Sequence, residues 1–181
     1  MKKFSVMIVY LCFFAVFCFA KTDSYIQSVD VSKENEEVTI GVNFSTTGNI
    51  TDVWNLLVNP EKLMNIYNEY ESITVNSSND HEVIATYVIK IPFVKTVSYI
   101  LRTELDEAHQ VISWSLVSSD RLEKYTGTYK LVEISGGGGT ELYFKTMVVL
   151  HSKFLNFFKN LFIKDETVKS VERLVNYIEK N

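Results

Sequence analysis

Cysteine is nearly absent. Of 181 residues, two are cysteine, Cys12 and Cys18, and both lie in the first twenty. Histidine is scarce, with only His81, His109 and His151. No two of them stand at i, i+2 or i+4, the spacings that bring imidazoles together on a strand or helix, so no local metal signature is present. Proline occurs twice, at Pro60 and Pro92, and four of the seven glycines form one run, Gly136 to Gly139. That run is not followed by Lys-Ser/Thr and leads into a strand pattern, which excludes a phosphate loop. No Gly-x-Ser-x-Gly elbow occurs, and no repeat appears at solenoid periods. Positive charge is also short: 18 basic against 22 acidic side chains leave a net charge of −4. Nucleic-acid binding driven by net electrostatics is thereby excluded. A hydrophobic share of 46% excludes a disordered chain, and the length suits one domain.

One long apolar run is present, and it is N-terminal. Met1-Lys2-Lys3 is basic, Phe4 to Ala20 is almost wholly apolar, and Lys21-Thr22-Asp23 is abruptly polar. This is the layout of a secretory signal peptide cleaved after Ala20. Seventeen apolar residues make about 25 Å of helix, short for a hydrocarbon core of about 30 Å. The alternative is an uncleaved membrane anchor. Removal of residues 1–20 takes both cysteines, Lys2, Lys3 and no acid. The mature chain then has no disulfide, thiolate nucleophile or thiolate metal site, and must rely on a packed core. The expected organisation is a signal peptide at 1–20, an N-terminal extension at 21–35 and one domain at 36–181, secreted or periplasmic.

Val38, Ile40, Val42 and Phe44 alternate over Glu36–Phe44 and predict a strand. Val53, Trp54, Leu57 and Val58 follow at helical spacing. Asn59 as N-cap and Pro60 at the first position open a second short helix carrying Leu63, Met64, Ile66 and Tyr67. Strands are then predicted at Ile73–Asn76, His81–Lys90, Val97–Leu105, Val111–Val117 and Lys124–Ile134. Gly136–Gly139 is the hairpin link to a last strand carrying Leu142, Phe144, Thr146 and Val148. From Phe154 the period changes. Phe154, Leu155, Phe157, Phe158, Leu161 and Phe162 open a stripe that Val168, Val171, Leu174, Val175 and Ile178 continue. It predicts one amphipathic helix of about 27 residues, roughly 40 Å. The fold class is α+β: a curved antiparallel sheet whose apolar face is covered by the long C-terminal helix.

That order resembles the helix-grip fold of the START/SRPBCC superfamily. The likeness is carried by Thr51-Asp52-Val53-Trp54-Asn55-Leu56-Leu57 before Asn59-Pro60-Glu61-Lys62-Leu63, by Ile91-Pro92-Phe93-Val94-Lys95, and by Ile112-Ser113-Trp114-Ser115-Leu116-Val117. Gly127-Thr128-Tyr129-Lys130-Leu131, ahead of the glycine turn and Thr140-Glu141-Leu142-Tyr143-Phe144, completes it. None of these is a catalytic signature. The Arg-Asp pair that such domains often carry before the fourth-strand aromatic is replaced by Val97 and Ser98 ahead of Tyr99. The resemblance implies a cavity between sheet and long helix for an apolar or amphipathic small molecule: a lipid, a quinone or a polyketide-like aromatic. It implies no cofactor.

Tyr87, Tyr99, Trp114, Tyr125, Tyr129 and Phe144 recur on one predicted sheet face. They form either an ordinary core or a pocket wall; buried phenols need hydrogen-bond partners, which a filled aliphatic core avoids. With Leu101, Leu116, Phe158 and Phe162 they make up the candidate ligand-binding set. Catalysis of the cyclase/dehydratase type needs a titratable group facing the cavity, such as Glu104 or Glu123 beside a tyrosine. A third reading is a protein-interaction module with a vestigial cavity. Phe154–Phe162, with Lys153, Lys159 and Lys164 opposite, suits either docking on the sheet or transient contact with an anionic membrane. Asn43, Asn49 and Asn76 each begin an Asn-x-Ser/Thr triplet, which matters only in a glycosylating pathway.

Overall fold

The computed structural model describes residues 25–34, 37–90, 96–150 and 163–180. The chain forms eight antiparallel strands: β1 (Ile26–Glu34), β2 (Glu37–Thr46), β3 (Tyr70–Ser78), β4 (Glu82–Ile89), β5 (Val97–Asp106), β6 (Val111–Ser119), β7 (Leu122–Glu133) and β8 (Thr140–Leu150). They make one sheet in the order β1-β2-β8-β7-β6-β5-β4-β3. Helix α1 (Ile50–Leu57) and a 3₁₀ helix (Pro60–Asn65) connect β2 to β3, and α2 (Ile163–Lys180) follows β8. This is the helix-grip arrangement. The segment read as an extension ahead of the domain supplies β1, which pairs along β2 from Ile26↔Phe44 to Glu34↔Glu37.

Local chemistry explains the connections. Asn49 caps α1, its side chain accepting from the Asp52 amide at 2.9 Å. Asn59 accepts from the Lys62 amide in the same way, with Pro60 behind it. The second helix is a 3₁₀ turn rather than an α-helix. It is six residues long, and Ile66 and Tyr67 both return to the Leu63 carbonyl. Gly136, Gly137 and Gly139 take positive φ in the β7–β8 link. Gly139 is obligatory there, since a Cβ would lie 2.0 Å from the Thr46 carbonyl oxygen.

Two apolar clusters divide the inner face. The first joins Val38, Val42 and Phe44 of β2 to Val53 and Leu57 of α1 and to Val171, Leu174 and Val175 of α2. Leu174 is fully buried, and each such side chain stabilises the fold by roughly 1.5–3 kcal/mol. Here α2 meets the turn between β2 and α1 closely: a Cβ on Gly48 would fall 2.3 Å from Ile178. The second cluster joins Ile73, Val83, Ala85, Tyr87, Val97, Tyr99 and Leu101, with Tyr70, Trp114, Leu116 and Tyr125 against it. Among the described residues, none of α2 belongs to this second cluster. The first turns predicted for the long helix, Phe154–Phe162, lie outside the described residues.

Candidate functional site

The second half of the sheet is built from aromatic side chains whose order follows from strand register. Tyr87 of β4 stands opposite Tyr99 of β5, and their rings stack at 5.2 Å with planes 8° apart. Trp114 of β6 stands opposite Gly127 of β7, and Tyr129 opposite Phe144 of β8. Gly127 decides where the indole lies. A Cβ there would sit 2.1 Å from Trp114 Cζ2, so the missing side chain gives Trp114 room to lie across β7. The rings then make a continuous row. Tyr67 meets Tyr70 edge-on at 5.9 Å, and Tyr70 meets Tyr87 at 5.8 Å. Tyr99 meets Tyr125 at 5.8 Å, and Tyr125 meets Trp114 at 6.4 Å. Trp114 reaches Tyr129 at 5.5 Å and Phe144 at 5.9 Å. Such contacts each add about 0.5–1.5 kcal/mol beyond area burial.

The phenols of this row are electrically unusual. Burial pushes the pKa values of Tyr67, Tyr70, Tyr87, Tyr99 and Tyr129 well above the ordinary tyrosine value. Burial raises Tyr125 as well, and its polar neighbours Thr146 and Trp114 offset part of that rise. All are therefore neutral donors at physiological pH. The Tyr70 and Tyr99 hydroxyls also influence each other, Tyr99 lowering the Tyr70 pKa and Tyr70 raising that of Tyr99, both smaller than the rise from burial. Tyr67, Tyr87 and Tyr129 have no side-chain hydrogen bond to a described residue. Among the described residues, the sealed polar side-chain atoms lacking a partner are Gln110 Oε1 and Trp114 Nε1, and no phenol oxygen of the row is one of them. The Trp114 N–H lowers the Tyr125 pKa without making a hydrogen bond to it. An oxygen that is neither sealed nor bonded to protein borders space, so these phenols have donor capacity to spare.

One ion pair marks the end of the row. Arg173 of α2 puts Nη1 2.7 Å from Glu69 Oε1 and 2.9 Å from Oε2. Its guanidinium also lies over the Tyr67 ring, 5.8 Å from the centroid. Burial raises the Tyr67 pKa most, the Arg173 charge offsets part of that rise and Glu69 adds a smaller one. The pair ties α2 to the segment between the 3₁₀ helix and β3, at a partly exposed position.

The sequence-predicted residues take these places. Tyr87, Tyr99 and Leu101 are buried in the second cluster; Leu116, Trp114 and Tyr125 pack half-buried against it. Tyr129 and Phe144 pack against the first cluster and join the row through Trp114. Phe158 and Phe162 lie outside the described residues. Glu104 and Glu123 are exposed and do not approach the row. His81 and His109 are exposed, and His109 Nδ1 is held by Asp106 at 2.8 Å. Among the described residues, no group of three metal-ligating side chains occurs. Asn49 and Asn76 use their side chains internally, in the α1 cap and in a 2.9 Å bond to Thr86. Tyr70, Glu69 and Arg173 were not singled out from the sequence. Tyr70 belongs to a strand that begins three residues before the predicted one, and a Tyr-x-x-Tyr pair at a helix-to-strand junction was the available signal. An open groove of about 630 Å³ lies between the end of α1 and the β3–β4 edge, lined in part by Val58, Pro60, Val75 and Val83. None of the aromatic row lines it, and its openness to solvent makes it the weaker candidate.

No family model matches the sequence, and no curated protein matches it. Solved structures do. A protein from Thermus thermophilus superposes with a TM-score of 0.65 at 17% identity, over 78% of this chain and 94% of that one. A START superfamily protein from Mycobacterium smegmatis gives 0.64 at 12% identity, over 78% and 97%. The Zhui aromatase/cyclase from a Streptomyces species gives 0.58 at 14% identity, over 78% and 86%. The chain has the helix-grip fold of the START/SRPBCC superfamily, as its sequence pattern predicted. At these identities the likeness shows the fold alone.

Proposed function

We propose that this chain is an exported carrier of a hydrophobic small molecule, held on the aromatic half of the inner sheet face. One observation carries the reading: a continuous row of buried and half-buried rings with phenol hydroxyls to spare, most of it on the second cluster, to which no described residue of α2 belongs. A lipid, quinone or polyketide-like aromatic would bind by apolar burial at about 25 cal/mol per Å², with the phenols fixing its orientation. The START superfamily protein and the aromatase/cyclase with this fold support the class of ligand. Export rests on the Met1–Ala20 leader pattern. Native mass spectrometry of the protein purified from its own host tests both parts. A co-purifying apolar ligand and an N-terminus at Lys21 are expected; an empty protein retaining Met1 would overturn them. Turnover of such a ligand would support the cyclase/dehydratase reading instead. Capture of a protein partner by an empty protein would support the interaction module.

Ligand exchange at a membrane is the second element of the proposal. It rests on the Phe and Leu stripe of 154–162 with Lys153, Lys159 and Lys164 on its polar side. Flotation with anionic liposomes is expected to carry the protein upward, and Phe157→Ser to reduce ligand transfer. Absence of both effects would remove the membrane step.

A further inference from the structure

We propose that the Glu69–Arg173 ion pair acts as a charge filter, making the phenol-lined face selective for uncharged, ring-bearing ligands with carbonyl acceptors. The inference rests on the carrier reading above and specifies its ligand chemistry.

The argument starts from what the row offers. Its ring centroids are 5.0 to 6.4 Å apart, in stacked, tilted and edge-on contacts, a continuous aromatic surface that suits a ring-bearing guest. Its spare polar groups are donors: the hydroxyls of Tyr67, Tyr87 and Tyr129. A ketone or quinone oxygen is satisfied by one or two such donors. A carboxylate or phosphate is not. Removed from water, it needs a cation or several charge-assisted hydrogen bonds to offset its desolvation.

Among the described residues, Arg173 is the cation at the row, over the Tyr67 ring. Its charge is already paired. Nη1 contacts both Glu69 oxygens, and Nε donates to the Lys169 carbonyl at 3.4 Å. An anionic ligand that approaches the guanidinium meets the Glu69 carboxylate beside it, which competes for the same charge and repels the newcomer. Among the described residues, the side chains in ring or polar contact with the other phenols are further phenols, Phe144, Thr146 and Trp114, none of them charged. Glu69 thus sets specificity without touching the apolar body of the ligand, by excluding like charge.

A matched pair of probes tests this on the mature chain: 2-acetylnaphthalene, neutral, and 2-naphthoate, anionic, by equilibrium dialysis at pH 8. The wild type is expected to bind the ketone at least tenfold more tightly. Glu69→Gln frees the guanidinium and is expected to raise naphthoate affinity at least tenfold while moving the ketone less than threefold. Adding Arg173→Gln to that variant is expected to return naphthoate binding to its wild-type level. Circular dichroism verifies that each variant is folded. Equal binding of both probes by the wild type, or no gain for naphthoate in folded Glu69→Gln, overturns the filter and leaves the carrier reading standing. Binding of neither probe by any variant overturns both.

Discussion

Gly127→Ala is the sharpest test of how the site is assembled. The new methyl would lie 2.1 Å from Trp114 Cζ2, 2.4 Å from Cε2 and 2.7 Å from the Lys145 carbonyl oxygen. Carbon atoms rest at about 3.5–4.0 Å, so the indole must move by more than about 1 Å. It has little room to do so, because Tyr125, Tyr129 and Phe144 pack around it. The carbonyl belongs to the β7–β8 ladder and is held there. Overpacking of this kind costs about 1–3 kcal/mol, or roughly 3–10 °C in Tm for a domain of this size. The comparison is best made in a Trp54→Phe background, which leaves Trp114 as the sole tryptophan. Urea unfolding gives the stability change, and near-ultraviolet circular dichroism and emission report on the indole. The expected result is a lower midpoint, a shifted emission maximum and weaker binding of 2-acetylnaphthalene. Stability within about 0.5 kcal/mol of the parent, outside the usual overpacking range, with an unchanged Trp114 spectrum would refute the packing of that ring on Gly127.

Three further outcomes are expected. Gly139→Ala meets the Thr46 carbonyl at 2.0 Å from a backbone with φ +112 and should cost about 3 kcal/mol or more; Gly137→Ala, with nothing within 4 Å, should cost only the roughly 1–2 kcal/mol of a left-handed residue. Equal thermal midpoints for the two variants would contradict this geometry of the β7–β8 turn. Leu174→Ala opens a void under α2 where the side chain is fully buried, a loss of about 2–5 kcal/mol in urea unfolding; a loss below about 1 kcal/mol, short of that range, would mean that α2 does not seal the first cluster. The row's phenols are neutral and their pKa values are raised by burial, so the unfolded chain gives up protons first as pH rises. Their contribution to stability is whole below about pH 10 and lost above it. Absorbance at 295 nm and far-ultraviolet circular dichroism should therefore change together; reversible phenol ionisation with the sheet intact would refute the burial.

Period alone revealed much of the sheet. Val38, Ile40, Val42 and Phe44 are all buried on β2, as their alternation required, and Val83, Ala85 and Tyr87 are buried on β4. A pleated strand sends alternate side chains to opposite faces whatever lies across from it. The parity that assigned Tyr87, Tyr99 and Trp114 to one face is therefore a local property. The second short helix was legible in its capping residues, Asn59 and Pro60, but not in its type. A six-residue segment sits at the margin where an α-turn and a 3₁₀ turn differ by little, so spacing does not separate them.

The site's polar elements had no such local signal. Glu69 and Arg173 are 104 positions apart, each an ordinary surface residue in its own segment. Tyr67 and Tyr70 sit at a helix-to-strand junction, where neither the helical nor the strand period holds for long enough to assign a face. Gly127 read as one more position in an alternating strand, and its purpose is visible only once Trp114 is placed opposite it. By itself, the amino-acid order determined which side chains leave the solvent and on which face of each strand, because backbone geometry converts spacing directly into direction. Tertiary structure alone decided which of those faces meet, which phenols keep a free hydroxyl and which cation is already paired, because those depend on register and on where α2 lands, and both are settled by packing across the whole sheet.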